Sequence, residues 1–228
     1  MANKKRDQIR RERAKIARQE KMIRTVGIGL VVVIGIALAW SFFSKRAAGT
    51  PQDNVPGVTS KLYDAPPPMT IDVTKQYIAT VKLVKGGEFT IQLFPDKAPI
   101  TVNNFVFLAR EGYFNGVTFH RVLEGFMAQT GDPTGTGGGG PGYEFANEDS
   151  DLTFDKPGVV AMANAGRDTN GSQFFITFGP ADQLDGGYTI FGQVIEGMDI
   201  VNGITLRDPN SNPDYSGDAI ESITITEE

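Results

Sequence analysis

The 228 residues sum to a net charge of −5, but that charge is divided: residues 1–46 hold 12 Lys or Arg against three acids, and the rest hold 10 against 24. An acidic body lacks the basic face that phosphate binding needs, which excludes a nucleic-acid groove there. With no cysteine and one histidine, His120, the chain also excludes disulfides, thiol nucleophiles, Fe–S clusters and zinc sites built on Cys or paired His.

Residues 1–24 form a basic segment with ten Lys or Arg. It either sets membrane orientation or also lies on an anionic inner leaflet. Residues 25–44, TVGIGLVVVIGIALAWSFFS, carry no charge. As a helix, 20 residues span about 30 Å, the thickness of a bilayer's hydrocarbon core. Trp40, Phe42 and Phe43 stand where an interfacial aromatic belt would lie. The excess of positive charge upstream predicts a single-pass transmembrane anchor, held by membrane lipid, with a cytoplasmic N-terminus and an extracytoplasmic remainder. Cleavage at Ala47-Ala48-Gly49 is the alternative, but the 24-residue basic region and the bulky end of the apolar run suit a signal anchor better than a signal peptide. The lack of cysteine leans towards a bacterial cell envelope.

Residues 45–70 contain five prolines (51, 56, 66, 67 and 68) and few large apolar side chains, and read as a linker. The folded domain is then expected over 71–228. It opens with a hairpin: Ala79, Val81 and Leu83 alternate with polar neighbours, Gly86-Gly87 turns the chain, and Phe89, Ile91 and Leu93 alternate again. Pro99 starts a helix with Val102, Phe105, Val106 and Ala109 on one face, and Gly112 stops it. Short apolar runs follow at 117–123, 126–129, 159–163, 174–178, 188–194 and 220–225, with a second short helix near 198–203. Many short strands with two helices point to a closed antiparallel barrel or a sandwich.

Several motifs fail on their surroundings. Residues 135–140 satisfy GxGxxG, yet Pro141-Gly142-Tyr143 follows where a helix should start, so a mobile surface loop is expected. Asp208, Asn210 and Asn212 begin like a calcium loop, but Pro213 and Ala219 occupy the positions that need Gly and Glu. Glu144, Glu148, Asp149 and Asp151 read as a solvated face. There is no GxSxG elbow; Ser172 lies instead in Asn170-Gly171-Ser172, formally a glycosylation sequon.

Two longer segments carry a family likeness. Phe119-His120-Arg121-Val122 leads into Gly125-Phe126-Met127-Ala128-Gln129-Thr130-Gly131-Asp132, and Met162-Ala163-Asn164-Ala165-Gly166 leads through Asn170–Ile176 to Leu184-Asp185-Gly186. This pattern resembles the cyclophilins, from about Tyr77 to the C-terminus. The resemblance implies a mostly β fold, a closed eight-stranded antiparallel barrel capped by two α-helices, here preceded by one transmembrane helix. It implies peptidyl-prolyl cis/trans isomerase activity with Arg121, Gln129 and Phe175 as catalytic residues. His120, Phe126, Met127, Ala163, Asn164, Gln173, Leu184 and Tyr188 would form the substrate-binding set. Clients would be proline-containing unfolded or nascent polypeptides outside the cytoplasm, met by a monomeric catalytic domain without metal or cofactor. Gln183 and Tyr188 depart from the pattern of many eukaryotic members, which have Trp and His there; losing the indole should weaken cyclosporin-like macrocycles.

The apolar members of that set could be ordinary core residues, whereas an arginine on one strand face with Phe119 needs a partner or a task. Gln129 would orient Arg121, while Gln173 and the backbone of Asn164 would hold the peptide. The alternative function is a non-catalytic proline-peptide-binding chaperone or scaffold module at the membrane.

Overall fold

The computed structural model describes residues 61–228. The predicted basic segment 1–24, the anchor 25–44 and linker residues 45–60 lie outside the described residues. No helix among the described residues is long and apolar enough to cross a membrane.

Eight strands and two α-helices follow in the order β1 (Tyr77–Leu83), β2 (Glu88–Leu93), α1 (Pro99–Arg110), β3 (Arg121–Leu123), β4 (Met127–Thr130), β5 (Val159–Met162), β6 (Phe174–Thr177), β7 (Ile190–Glu196), α2 (Met198–Asn202) and β8 (Ile220–Glu227). All eight strands join one antiparallel sheet in the order β3-β4-β6-β5-β7-β2-β1-β8. The expected hairpin is β1–β2, in register from Tyr77 opposite Leu93 to Lys82 opposite Glu88. Its turn uses Gly86 and Gly87 at φ of 93° and 88°, angles that only glycine adopts without strain.

The sheet curls into a half-barrel and does not close as expected. Its edge strands β3 and β8 share no ladder. A single bridge, Thr118 with Ala219, joins the residues just before them. The reason lies in β3, which is three residues long and whose outer edge is taken by another segment. Val122 N–H donates to Arg207 O at 2.7 Å, and Arg207 N–H donates back to Val122 O at 2.9 Å. The run predicted at 117–123 is therefore broken at 119–120, so strand alternation does not carry through it. Phe119 packs in the main core and does not share a face with Arg121.

The main core lies inside the curl. Tyr77, Ala79, Val81 and Leu83 of β1 are fully buried, as period-2 alternation requires. Across from them, α1 buries its predicted face. Phe105 meets Phe114, Phe174 and Phe191 at ring-centroid distances of 5.4, 5.4 and 5.3 Å. No side chain next to α1 caps its N-terminus; the Glu148 carboxylate accepts from the N–H groups of Ile100 and Thr101 at 2.9 and 2.8 Å. Glu148 is thus a helix cap and not part of a merely solvated face, and Asp149 and Asp151 pair with Arg167 and Lys97. A second apolar cluster occupies the opposite sheet face, built on Met127, Phe154, Val159, Ala161, Phe175, Ala181 and Ile190.

Residues 61–70, which fall within the segment read as a linker, run along this domain as a strap. Tyr63 N–H donates to Pro141 O at 2.8 Å, and its ring meets Phe107 edge-on at 5.2 Å. Asn103 of α1 holds the other end, donating to Pro68 O at 3.0 Å and accepting from Thr70 N–H at 2.8 Å. The sequon Asn170 is fully buried and donates to Ala146 O and Asn147 Oδ1, so the folded domain does not offer it for modification. The calcium-like segment is a tight 3₁₀ turn in which Asp208 Oδ1 accepts from Asn210 N–H at 2.9 Å.

Candidate active site

Strand register brings the predicted residues together. Arg121 lies opposite Gln129, Gln129 opposite Phe175, and Phe175 opposite Ala161, so β3, β4, β6 and β5 contribute one cross-strand row. Residues directly opposite in antiparallel strands share a face, and this row lies on the face of the second apolar cluster. Met127, two residues before Gln129, falls on the same face.

Above this row is an open concavity of about 140 Å³ lined by Arg121, Phe126, Met127, Gln129, Ala163, Asn164, Phe175, Leu184 and Tyr188. These are nine of the eleven residues named from sequence. His120 and Gln173 are outside the lining. Met127 and Phe175 form a nearly dry floor, 2% and 5% exposed. The Phe175 ring is stacked on Phe154 at 5.8 Å and meets Tyr188 edge-on at 5.4 Å.

The walls are fastened from outside. Leu184 ends the 3₁₀ turn Asp182–Leu184. That turn is pinned to Phe154, whose O accepts from Ala181 N–H at 2.7 Å and whose N–H donates to Asp185 Oδ1 at 2.9 Å. Gln183 stands on the same turn, exposed and away from the concavity. Gly187 O, beside Tyr188, accepts from the side chains of Asn147 and Asn164 at 3.2 and 3.3 Å. Asn164 therefore uses its amide on the wall, while its main-chain N–H and C=O make no bond among the described residues.

Arg121 is half-buried at the rim. It donates to Gln129 Oε1 at 3.4 Å and approaches Met127 Sδ at 3.9 Å. It makes no ion pair among the described residues, so its charge is not neutralised by a neighbour. His120 faces the other way. It is 3% exposed, and burial holds its imidazole below the ordinary histidine range, with the Asp132 carboxylate opposing. Gln173 turns from the concavity towards Gln129 and the glycine-rich loop.

Sequence reasoning missed Phe154 and Asp132. Phe154 gave one signal, an isolated aromatic after an acidic run, but nothing marked it as the support of Phe175. Asp132 is fully buried and gathers the loop around itself, so residues 134–139 form an ordered clasp and not the mobile loop expected.

A model described as "Cyclophilin type peptidyl-prolyl cis-trans isomerase/CLD" matches residues 78–226. The chain is 49% identical over 144 residues to the mouse (Mus musculus) peptidylprolyl isomerase domain and WD repeat-containing protein 1; the match covers 61% of this chain but spans only 22% of that relative. Mouse peptidyl-prolyl cis-trans isomerase-like 1 is 47% identical over 149 residues, covering 64% of this chain and 87% of the relative. Among solved structures, a Cryptosporidium parvum cyclophilin-type peptidyl-prolyl cis-trans isomerase is similar with a TM-score of 0.61 and 34% identity, covering 68% of this chain and 99% of that one. The same Cryptosporidium protein has been solved in the presence of the dipeptide Ala-Pro.

Proposed function

Because the chain belongs to the cyclophilin-type peptidyl-prolyl cis-trans isomerases, we propose that it accelerates X–Pro rotation in unfolded or nascent polypeptides outside the cytoplasm, tethered there by residues 25–44. The observation that carries the catalytic part is one guanidinium without an ion-pair partner among the described residues, at the rim of a dry apolar floor.

An X–Pro amide rotates slowly because resonance gives its C–N bond partial double-bond character, with a barrier of about 18–20 kcal/mol. At the twisted midpoint that resonance is lost and the proline nitrogen regains a lone pair. A donor aimed at this lone pair stabilises the midpoint more than either planar state, which is the condition for acceleration. Arg121 supplies the donor. Met127, Phe175, Leu184 and Tyr188 grip the pyrrolidine ring and exclude water, which strengthens the guanidinium's field. The unbonded main chain of Asn164 holds the peptide on one side of the rotating bond.

Truncating the floor tests the grip. Phe175→Ala in the full-length chain should raise KM for an X–Pro peptide about tenfold or more, since fully burying a ring contributes about 1.5–3 kcal/mol. An unchanged KM would place the proline elsewhere.

The tether and its orientation are supported by the uncharged 20-residue run and by the basic excess before it. Protease added to spheroplasts should digest residues 71–228 and spare the N-terminal segment. Full protection of the domain would overturn the extracytoplasmic assignment.

A further inference from the structure

The direction of Arg121 depends on a chain of amides that begins in the glycine-rich loop. Gln173 Nε2 donates to Gly137 O at 3.0 Å and to Gly139 O at 2.9 Å. Carbonyls only accept, so the nitrogen of this side-chain amide must face the loop and its oxygen must face the other way. That oxygen accepts from Gln129 Nε2 at 2.9 Å, which turns Gln129 Oε1 towards the Arg121 guanidinium. Without the two carbonyls, either amide could flip and present N–H groups to a cation, losing the acceptor that steers it.

The loop is held for this task. Asp132 accepts the N–H groups of Thr134, Gly137 and Gly139 at 2.7, 2.7 and 3.1 Å, and the Thr134 hydroxyl at 2.8 Å. Around this carboxylate there is no room for a side chain at residue 139, where a Cβ would lie 2.1 Å from Asp132 Oδ1.

We propose that Gln173 is a positioning residue, through which the loop at 135–140 aims Arg121, and not a peptide contact. The proposal rests on the isomerase reading above. It gives the loop a part in the reaction although it lies outside the concavity.

Kinetics of the full-length chain on an X–Pro peptide, followed by exchange NMR, separate the possibilities. Gln173→Leu should lower kcat about tenfold, the effect of one lost hydrogen-bond partner felt in the transition state, and leave KM within about twofold. Gly139→Ala, remote from the pocket, should reproduce that loss, and the two changes combined should cost no more than either alone. In an Arg121→Ala background, Gln173→Leu should have no further effect on the residual rate. A rise in KM with normal kcat would return Gln173 to the peptide-binding set and overturn the proposal. So would an additional loss in the Arg121→Ala background, which marks a general loosening of β6. The isomerase reading fails separately, if Arg121→Ala alone is fully active.

Discussion

Arg121→Ala should lower kcat/KM on an X–Pro peptide by about 100- to 1000-fold, the range seen when one preorganised donor is removed from a developing charge. The cost is expected in catalysis and not in folding. Arg121 has no ion-pair partner among the described residues and sits half-buried at a rim, so its removal strands no buried charge. The unfolding midpoint should therefore stay close to that of the unaltered chain. Arg121→Lys keeps the charge but loses the planar fork that donates to Gln129 and is proposed to reach the proline nitrogen, and should fall between the two. Peptide binding should survive in Arg121→Ala, because the apolar floor is untouched. Full activity in this variant would sink the mechanism, and an unaltered chain that binds proline peptides without speeding rotation would favour the scaffold module.

Phe174→Ala should destabilise the domain by about 3–5 kcal/mol, the usual cost of truncating a buried phenylalanine. Phe174 is fully buried and meets Phe105, Phe114 and Phe191 edge-on at 5.4, 5.6 and 6.3 Å. Denaturant unfolding followed by near-ultraviolet circular dichroism reads this, since the sole tryptophan, Trp40, lies before the domain. The contrast with its neighbour is instructive. Strand alternation sends Phe174 into the main core and Phe175 to the concavity, so Phe174→Ala should lower stability alone, whereas Phe175→Ala should also raise KM. Equal effects on both measurements would contradict that division.

Local patterning carried much of the architecture. The alternation around Gly86-Gly87 and the Val102/Phe105/Val106/Ala109 spacing each report a single element, and the structure has those elements where they were expected. Nine of the residues named from the two-segment resemblance line one concavity, and they come from three strands, β3, β4 and β6, and from the turns and loops between strands. Contacts between distant residues were not legible. Arg207 occupying the edge of β3 depends on a pairing 85 residues away, and no local pattern encodes it. The seat of Gln173 is made of backbone carbonyls, which every residue possesses, so residue type could not reveal it. Phe154 escaped for a similar reason: an aromatic becomes a support only when the fold brings a second ring against it.

The strap at 61–70 changes the geometry of the proposed tether. Prolines 66–68 were read as part of a free spacer, yet Asn103 and Pro141 clip that stretch to the domain. A leash from a bilayer to the catalyst would then be ten residues shorter, about 31 Å less reach for extended proline-rich chain. On the proposed tether, clients would have to come correspondingly nearer to the membrane surface, and the enzyme's catchment would be a thin layer suited to polypeptides just emerging from it.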